Sequence, residues 1–190
     1  LDSDDRFSVD LIKCAVNRAE RTGADVVVEN FEIVNVINKT DKIFAINEAN
    51  MPDARLFSLK DIKKEQIGTI PFNVWSKLFR KEFLDEKKIL HDETLHRCED
   101  VLFSYSALLQ TDKISYLTNS YIKYNEAIPT SNSARNDKYP TDSINAWRKL
   151  HHKLVDLGAY SLFKESFAKS MSGSICWHLE RMKTETGISK

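Results

Sequence analysis

The feature that most limits the fold of this chain is an uninterrupted valine run. Val26-Val27-Val28 sits at the head of the β-branched segment Asp25-Val26-Val27-Val28-Glu29-Asn30-Phe31-Glu32-Ile33-Val34. Such a run suits a strand covered on both faces at its start. Just before it, Leu11, Ile12, Ala15, Val16 and Ala19 recur at helical spacing behind Ser8, a good N-cap, and Gly23 suits a left-handed exit. The pattern predicts a helix over Ser8–Thr22 feeding a buried strand, which is half of an α/β unit.

From Asn35 to Ile70 the pattern weakens to a short strand at Lys42–Ile46 and a short helix near Leu59–Lys64. The stretch from Pro71 to Leu84 mixes aromatic and basic residues and reads as a turn or strand running into a short helix. Glu99-Asp100 leads the apolar segment Val101–Leu109, a buried helix with its acids in the first turn. Lys113–Leu117 and Tyr121–Asn125 read as two short strands. The polar segment Glu126–Ser143, with Pro129 and Pro140, reads as a long loop. Two helices close the chain. The first covers about Ser143–Leu157, with Ile144, Trp147, Leu150, Leu154 and Leu157 on one face; the second covers about Leu162–Met182, with Phe163, Phe167 and Met171 in register.

Composition narrows the class further. At 190 residues and 42% hydrophobic, the chain matches one domain with a real core, and it has no internal repeat. Its 28 basic side chains balance 28 acidic ones, which removes the clustered positive charge that nucleic acid or an anionic membrane surface needs. No apolar run approaches the ~20 residues that cross a bilayer, and no signal-peptide pattern opens the chain. Cys14, Cys98 and Cys176 are odd in number and widely spaced. That spacing argues against a disulfide framework and for a reducing compartment.

Two acidic pairs carry the chemistry. Asp2 and Asp4 alternate, so on a strand both carboxylates point one way, toward a shared cation; hard oxygen ligands of this kind suit Mg²⁺ or Mn²⁺. Such a pair also serves as a turn or a helix cap. An EF-hand loop is excluded, because its glycine position is Phe7. Glu99 and Asp100 at a helix start answer the helix dipole by about 0.3–1 kcal/mol. The same dipole keeps Asp100 ionised, as a general base requires, and general-base catalysis typically supplies ~10²–10⁴ in rate. His91, His96, Cys98, Cys176 and His178 could in principle hold zinc, but their spacings match no usual zinc module.

In order along the chain come Leu1-Asp2-Ser3-Asp4-Asp5, Gly23-Ala24-Asp25-Val26-Val27-Val28, the segment from Val74-Trp75-Ser76-Lys77-Leu78-Phe79-Arg80 to Leu84, and Glu99-Asp100-Val101-Leu102-Phe103. This series, continued through Thr111–Leu117 and Tyr121–Tyr124, resembles the family 2 glycosyltransferases. The resemblance covers most of residues 1–125 and fades beyond Glu126. It implies the C-terminal portion of a GT-A, Rossmann-like α/β domain, helix-rich with short strands. Residues 1–125 would run from the DxD motif through the acceptor-binding part, 126–143 would be a flexible loop and possible lid, and 144–190 C-terminal helices. The nucleotide-binding half that precedes the DxD motif in that family is not in this sequence. This chain alone is therefore expected to bind uridine diphosphate weakly or not at all.

The resemblance also implies roles. Asp2 and Asp4 match the motif that holds Mg²⁺ or Mn²⁺ against the donor diphosphate, Asp4 being the more direct ligand. Asp100 matches the catalytic base and Glu99 a residue that orients it or meets the acceptor. The reaction implied is inverting transfer from a nucleotide-sugar donor, a uridine diphosphate sugar first among them, to a saccharide or lipid-linked acceptor in polysaccharide biosynthesis. Lys77, Arg80 and Arg135 are cationic candidates near diphosphate or acceptor, and Trp75 could stack on a sugar. His151 and His152 are candidates for a further metal ligand. The location implied is cytoplasmic, at or near the inner face of the membrane, and the exposed sheet edges of a partial domain favour a homo-oligomer. Two rival readings stand beside this one: a non-catalytic helical interaction module, and a haloacid-dehalogenase-like phosphatase. The phosphatase wants Thr or Val where this chain has Arg6.

Overall fold

The computed structural model describes residues 5–35, 40–44, 52, 55–126 and 138–180. Its centre is a five-stranded mixed sheet built around β2 (Val26–Asn35). Along one side of β2 lies β5 (Ile114–Glu126), in parallel, and β1 (Arg6–Phe7) pairs antiparallel with the far side of β5. The other side of β2 is shared: β4 (Lys77–Phe79) takes its amino half and β3 (Thr40–Phe44) its carboxyl half, both antiparallel.

The valine run is buried as expected, with Val26, Val27 and Val28 at 0–2% exposure. Helix α1 (Leu11–Thr22) leads into β2 through Gly23, whose φ of 72° is the left-handed geometry that glycine adopts without a Cβ penalty. The helix begins three residues later than the sequence predicts. Ser8 accepts the Leu11 N–H with its carbonyl at 3.1 Å, inside a preceding turn, and Asp10 holds the N-cap position. Only Leu11 and Ala15 of its apolar positions are buried, while Ile12 and Val16 face outward.

The two strands expected at Lys113–Leu117 and Tyr121–Asn125 form one strand. Both halves pair with β2, and the irregularity falls where Glu29 faces Leu117 while Asn30 faces Tyr121, so that Thr118–Ser120 are extra residues on β5. The short helix near Leu59–Lys64 resolves into two 3₁₀ segments, Leu59–Asp61 and Lys64–Thr69. Ser58 caps the first one reciprocally with Asp61.

The main core lies where α3 (Glu99–Leu108), α4 (Asp142–Asp156) and α5 (Tyr160–Glu180) pack with the 3₁₀ segments against Val26, Val28 and Ile114. A smaller cluster joins Leu11, Phe31 and Ile122, with Ile33 and Trp75 beside it. Trp147, Leu150 and Leu154 of α4 are buried as expected, but Ile144 and Leu157 are 48% and 40% exposed. The first turn of α4 is rotated inward through Asp142 and Ser143, because Asp142 Oδ2 accepts the backbone N–H groups of His96 and Arg97 at 2.8 and 3.1 Å. Helix α2 (Lys81–Lys87) follows β4 directly, as the segment from Pro71 to Leu84 suggested. No helix among the described residues is long and apolar enough to cross a membrane.

Candidate functional site

Asp100 stands in the first turn of α3, which enters from Cys98 in a left-handed conformation with φ of 59°. Its Oδ2 accepts the backbone N–H of Val74 at 3.1 Å. Burial raises the Asp100 carboxyl above its ordinary range, and the neighbouring Glu99 adds to the rise; the Val74 N–H, the Lys77 ammonium and His91 oppose it.

The segment that supplies Val74 is fastened from below. The Lys77 side chain is buried, and its Nζ donates to the carbonyls of Pro71 at 2.6 Å and Asn73 at 2.5 Å. Ser76 Oγ donates to Asn73 Oδ1 at 2.9 Å, and the Glu29 N–H donates to the Ser76 carbonyl at 2.9 Å. Burial brings the Lys77 ammonium down to about 7, against the attraction of Asp100 and Glu29. Glu29 is 4% exposed, and burial pushes its carboxyl up to about 7, against the attraction of Lys77. Asp100, Lys77 and Glu29 thus form one electrostatic group at the junction of α3, β4 and β2.

An aromatic wall rises beside this group. Trp75 stacks on Tyr124 of β5, with ring centroids 5.0 Å apart and 10° between planes, and meets Phe31 of β2 edge-on at 4.7 Å. The pairing of β4 with β2 is antiparallel, Lys77 opposite Val28 and Phe79 opposite Val26. Residues before Lys77 therefore run toward the carboxyl end of β2, where open α/β sheets bind their ligands. Residues after it run toward the amino end. Arg80 lies there, its Nη2 donating to the Ala24 carbonyl at 2.9 Å and its Nε 3.5 Å from Asp25 Oδ1.

The structure therefore divides the sequence candidates. Asp100, Glu99 and Lys77 come together, with Trp75 next in sequence to the Val74 peptide and turned to Phe31 and Tyr124, but Lys77 is committed to carbonyls beneath its own segment rather than offered to a diphosphate, and Arg80 braces the start of β2. His151 packs against Tyr160 and Phe167 between α4 and α5, at 4.6 and 5.8 Å between ring centroids, and His152 is exposed on α4. The histidine whose charge reaches Asp100 is His91, stacked on Phe103 at 4.2 Å. Among the described residues no three His, Cys, Asp or Glu side chains are grouped to hold a metal ion. Asp2, Asp4 and Arg135 lie outside the described residues, as does most of the 126–143 loop. Asp5, the next acid after the pair, accepts the Asn125 N–H with Oδ1 at 3.1 Å, near the carboxyl end of β5.

Sequence reasoning missed Glu29, Val74 and Asp142. The one available signal was Glu29 itself, an acid directly after three buried valines. Val74 contributes only its backbone, which no side-chain pattern reports.

The architecture is the mixed α/β fold of a glycosyltransferase domain, as expected, and solved structures of S. aureus TarS share it. The structure of TarS residues 1–349 with UDP-GlcNAc matches 80% of this chain and 41% of that one, at a TM-score of 0.54 and 19% identity. The same region with UDP matches at 0.51 and 20%, again over 80% of this chain and 39% of that one. The crystal structure of TarS matches at 0.51 and 18%, over 80% of this chain and 24% of that one. In sequence, the chain is 28% identical over 109 residues to the succinoglycan biosynthesis protein ExoO of Rhizobium meliloti, covering 57% of this chain and 31% of that protein. No protein-family model matches the chain. The chain thus spans about a third of the length of this curated relative.

Proposed function

We propose that the protein containing this chain is a family 2 glycosyltransferase, which moves a sugar with inversion from a uridine diphosphate sugar to a saccharide or lipid-linked acceptor. The observation that carries the reading is Asp100. It is a half-buried carboxylate held by the Val74 N–H, whose next residue, Trp75, stacks on Tyr124, in a fold shared with a UDP-GlcNAc-bound structure. The relative named for succinoglycan biosynthesis supports a polysaccharide acceptor.

In this reading Asp100 takes the proton of an acceptor hydroxyl as that oxygen bonds to the anomeric carbon and the bond to the diphosphate breaks. The Val74 N–H orients one carboxylate oxygen and leaves the other for the hydroxyl. Burial raises the affinity of the carboxylate for the proton, bringing its basicity closer to working pH. Glu99, in the same helical turn, orients Asp100 or meets the acceptor, and Trp75 offers an apolar ring to a sugar face.

Asp2 and Asp4 would hold Mg²⁺ or Mn²⁺, since their hard carboxylate oxygens suit those ions. When bound, the cation neutralises charge on the departing diphosphate.

The decisive test is Asp100→Asn in the full-length protein. Transfer should fall by at least ~10²-fold, the low end of general-base catalysis, while metal-dependent donor binding stays within about twofold. Turnover at the wild-type rate would remove Asp100 as the base. Asp4→Ala should instead weaken donor binding and its response to manganese.

A further inference from the structure

We propose that Lys77 is a positioning residue for Asp100, holding from beneath the segment that aims the Val74 N–H at the carboxylate. The inference rests on the reading of Asp100 as the base and adds a residue to it. It assigns Lys77 a role other than contact with donor or acceptor.

The geometry is specific. Lys77 Nζ reaches back to two carbonyls, those of Pro71 and Asn73, and the second belongs to the peptide unit whose N–H is that of Val74. One peptide group therefore receives the ammonium at its oxygen and presents its hydrogen to Asp100 Oδ2. Polarising a peptide at its oxygen strengthens it as a donor at its nitrogen, so the two bonds reinforce each other. The clasp is braced twice more, by Ser76 Oγ on Asn73 Oδ1 and by the Glu29 N–H on the Ser76 carbonyl.

Charge acts in the same direction as geometry. Lys77 faces Asp100 and Glu29, while Asp100 faces Glu99, Lys77 and His91. The ammonium favours the ionised form of Asp100 against burial and against Glu99. Loss of Lys77 thus has two consequences of one sign. The Val74 N–H is no longer held in line, and a positive charge is withdrawn from Asp100. Both raise the pH at which the base loses its proton. A lysine placed only for stability would affect the amount of folded protein and leave that titration where it was.

The test is a pH profile of kcat in the full-length protein, with Lys77→Met and Lys77→Gln compared with wild type and Asp100→Asn. Gln keeps one donor for the Asn73 carbonyl and serves if the Met variant fails to fold. Each Lys77 variant should lower kcat at least tenfold at neutral pH, move the acid limb upward by about one pH unit, and leave KM for the donor within twofold. An unmoved acid limb in a folded Lys77 variant, with Asp100→Asn inactive, overturns the positioning role and leaves the base in place. A donor KM that rises tenfold at unchanged kcat also overturns it, making Lys77 a donor contact. An active Asp100→Asn overturns both readings.

Discussion

The backbone N–H of Val74 donates to the carboxylate of Asp100 across 26 positions of sequence. That bond joins the segment before β4 to the first turn of α3, and it makes the state of one carboxyl depend on the conformation of a distant peptide. The surroundings of both partners yield predictions that do not require the sugar or the acceptor to be known.

Asp142 anchors the strap that leads into Glu99 and Asp100. Its Oδ2 takes the N–H groups of His96 and Arg97, the second of them buried, and removing the carboxylate takes this acceptor from both. Asp142→Ala should cost about 2–4 kcal/mol, and Asp142→Asn about half of that. Urea denaturation gives the value; a loss below about 0.5 kcal/mol would mean the strap is held by other contacts.

Glu29 should make stability fall with rising pH over a defined window. Its carboxyl is raised from 4.5 to about 7 in the folded chain, chiefly by burial, so between those values the folded state keeps a proton that the unfolded state has released. The stabilisation is complete below 4.5 and is lost as pH rises through about 7, at no more than ~1.4 kcal/mol per pH unit. Glu29→Gln should flatten that slope in denaturation series run from pH 4 to 8, and an unchanged slope would assign it to other groups.

The thiols should react in a fixed order. Cys98 is pushed up to about 12 by burial, and its Sγ lies 3.1 Å from Nε2 of His178. His178 Nδ1 lies 2.7 Å from the Ser174 carbonyl, which can only accept, so the proton is on Nδ1 and Nε2 receives the Cys98 S–H. Cys176 is exposed. A disulfide reagent at pH 8 should therefore label Cys176 first and Cys98 last, since the thiolate is the reactive form. Early loss of Cys98, read by mass spectrometry, would count against the bond to His178.

Trp147 is the largest fully buried side chain among the described residues and lies between Tyr105 and Phe167, with ring centroids 6.4 and 5.5 Å away. Trp147→Ala should destabilise the fold by about 3–5 kcal/mol. Thermal unfolding of the two proteins measures the difference.

The parts of this molecule governed by local chemistry were legible in its sequence. Gly23 marked the only kind of residue that leaves α1 in a left-handed turn without strain, and Val26–Val28 marked a strand covered on both sides. Asp100 could be named from its motif, and the peptide it accepts from, that of Val74, stands just before Trp75. What could not be read depends on distant crossings. Lys77 read as a cation for diphosphate or acceptor until its ammonium was seen on the carbonyls of Pro71 and Asn73, and the two halves of β5 looked separate because their common partner is β2. The inward side of α4 was misjudged at Ile144, since the demand for Asp142 at its first turn comes from His96 and Arg97, far away in sequence.

The pairing of β1 with β5 sets an order of events during synthesis. Arg6 and Phe7 find their partners at Lys123 and Ile122, and Asp5 reaches Asn125 across 120 positions. At roughly 5–20 residues per second, β1 waits about 6–25 s after its own translation before β5 has been made. Through that interval β2 can acquire β3 and β4 on one side while its other side stays open. The emerging chain thus carries an unpaired edge bordered by valines, the kind of surface that chaperones bind, and the carboxyl-end face of the sheet is completed only when β5 arrives.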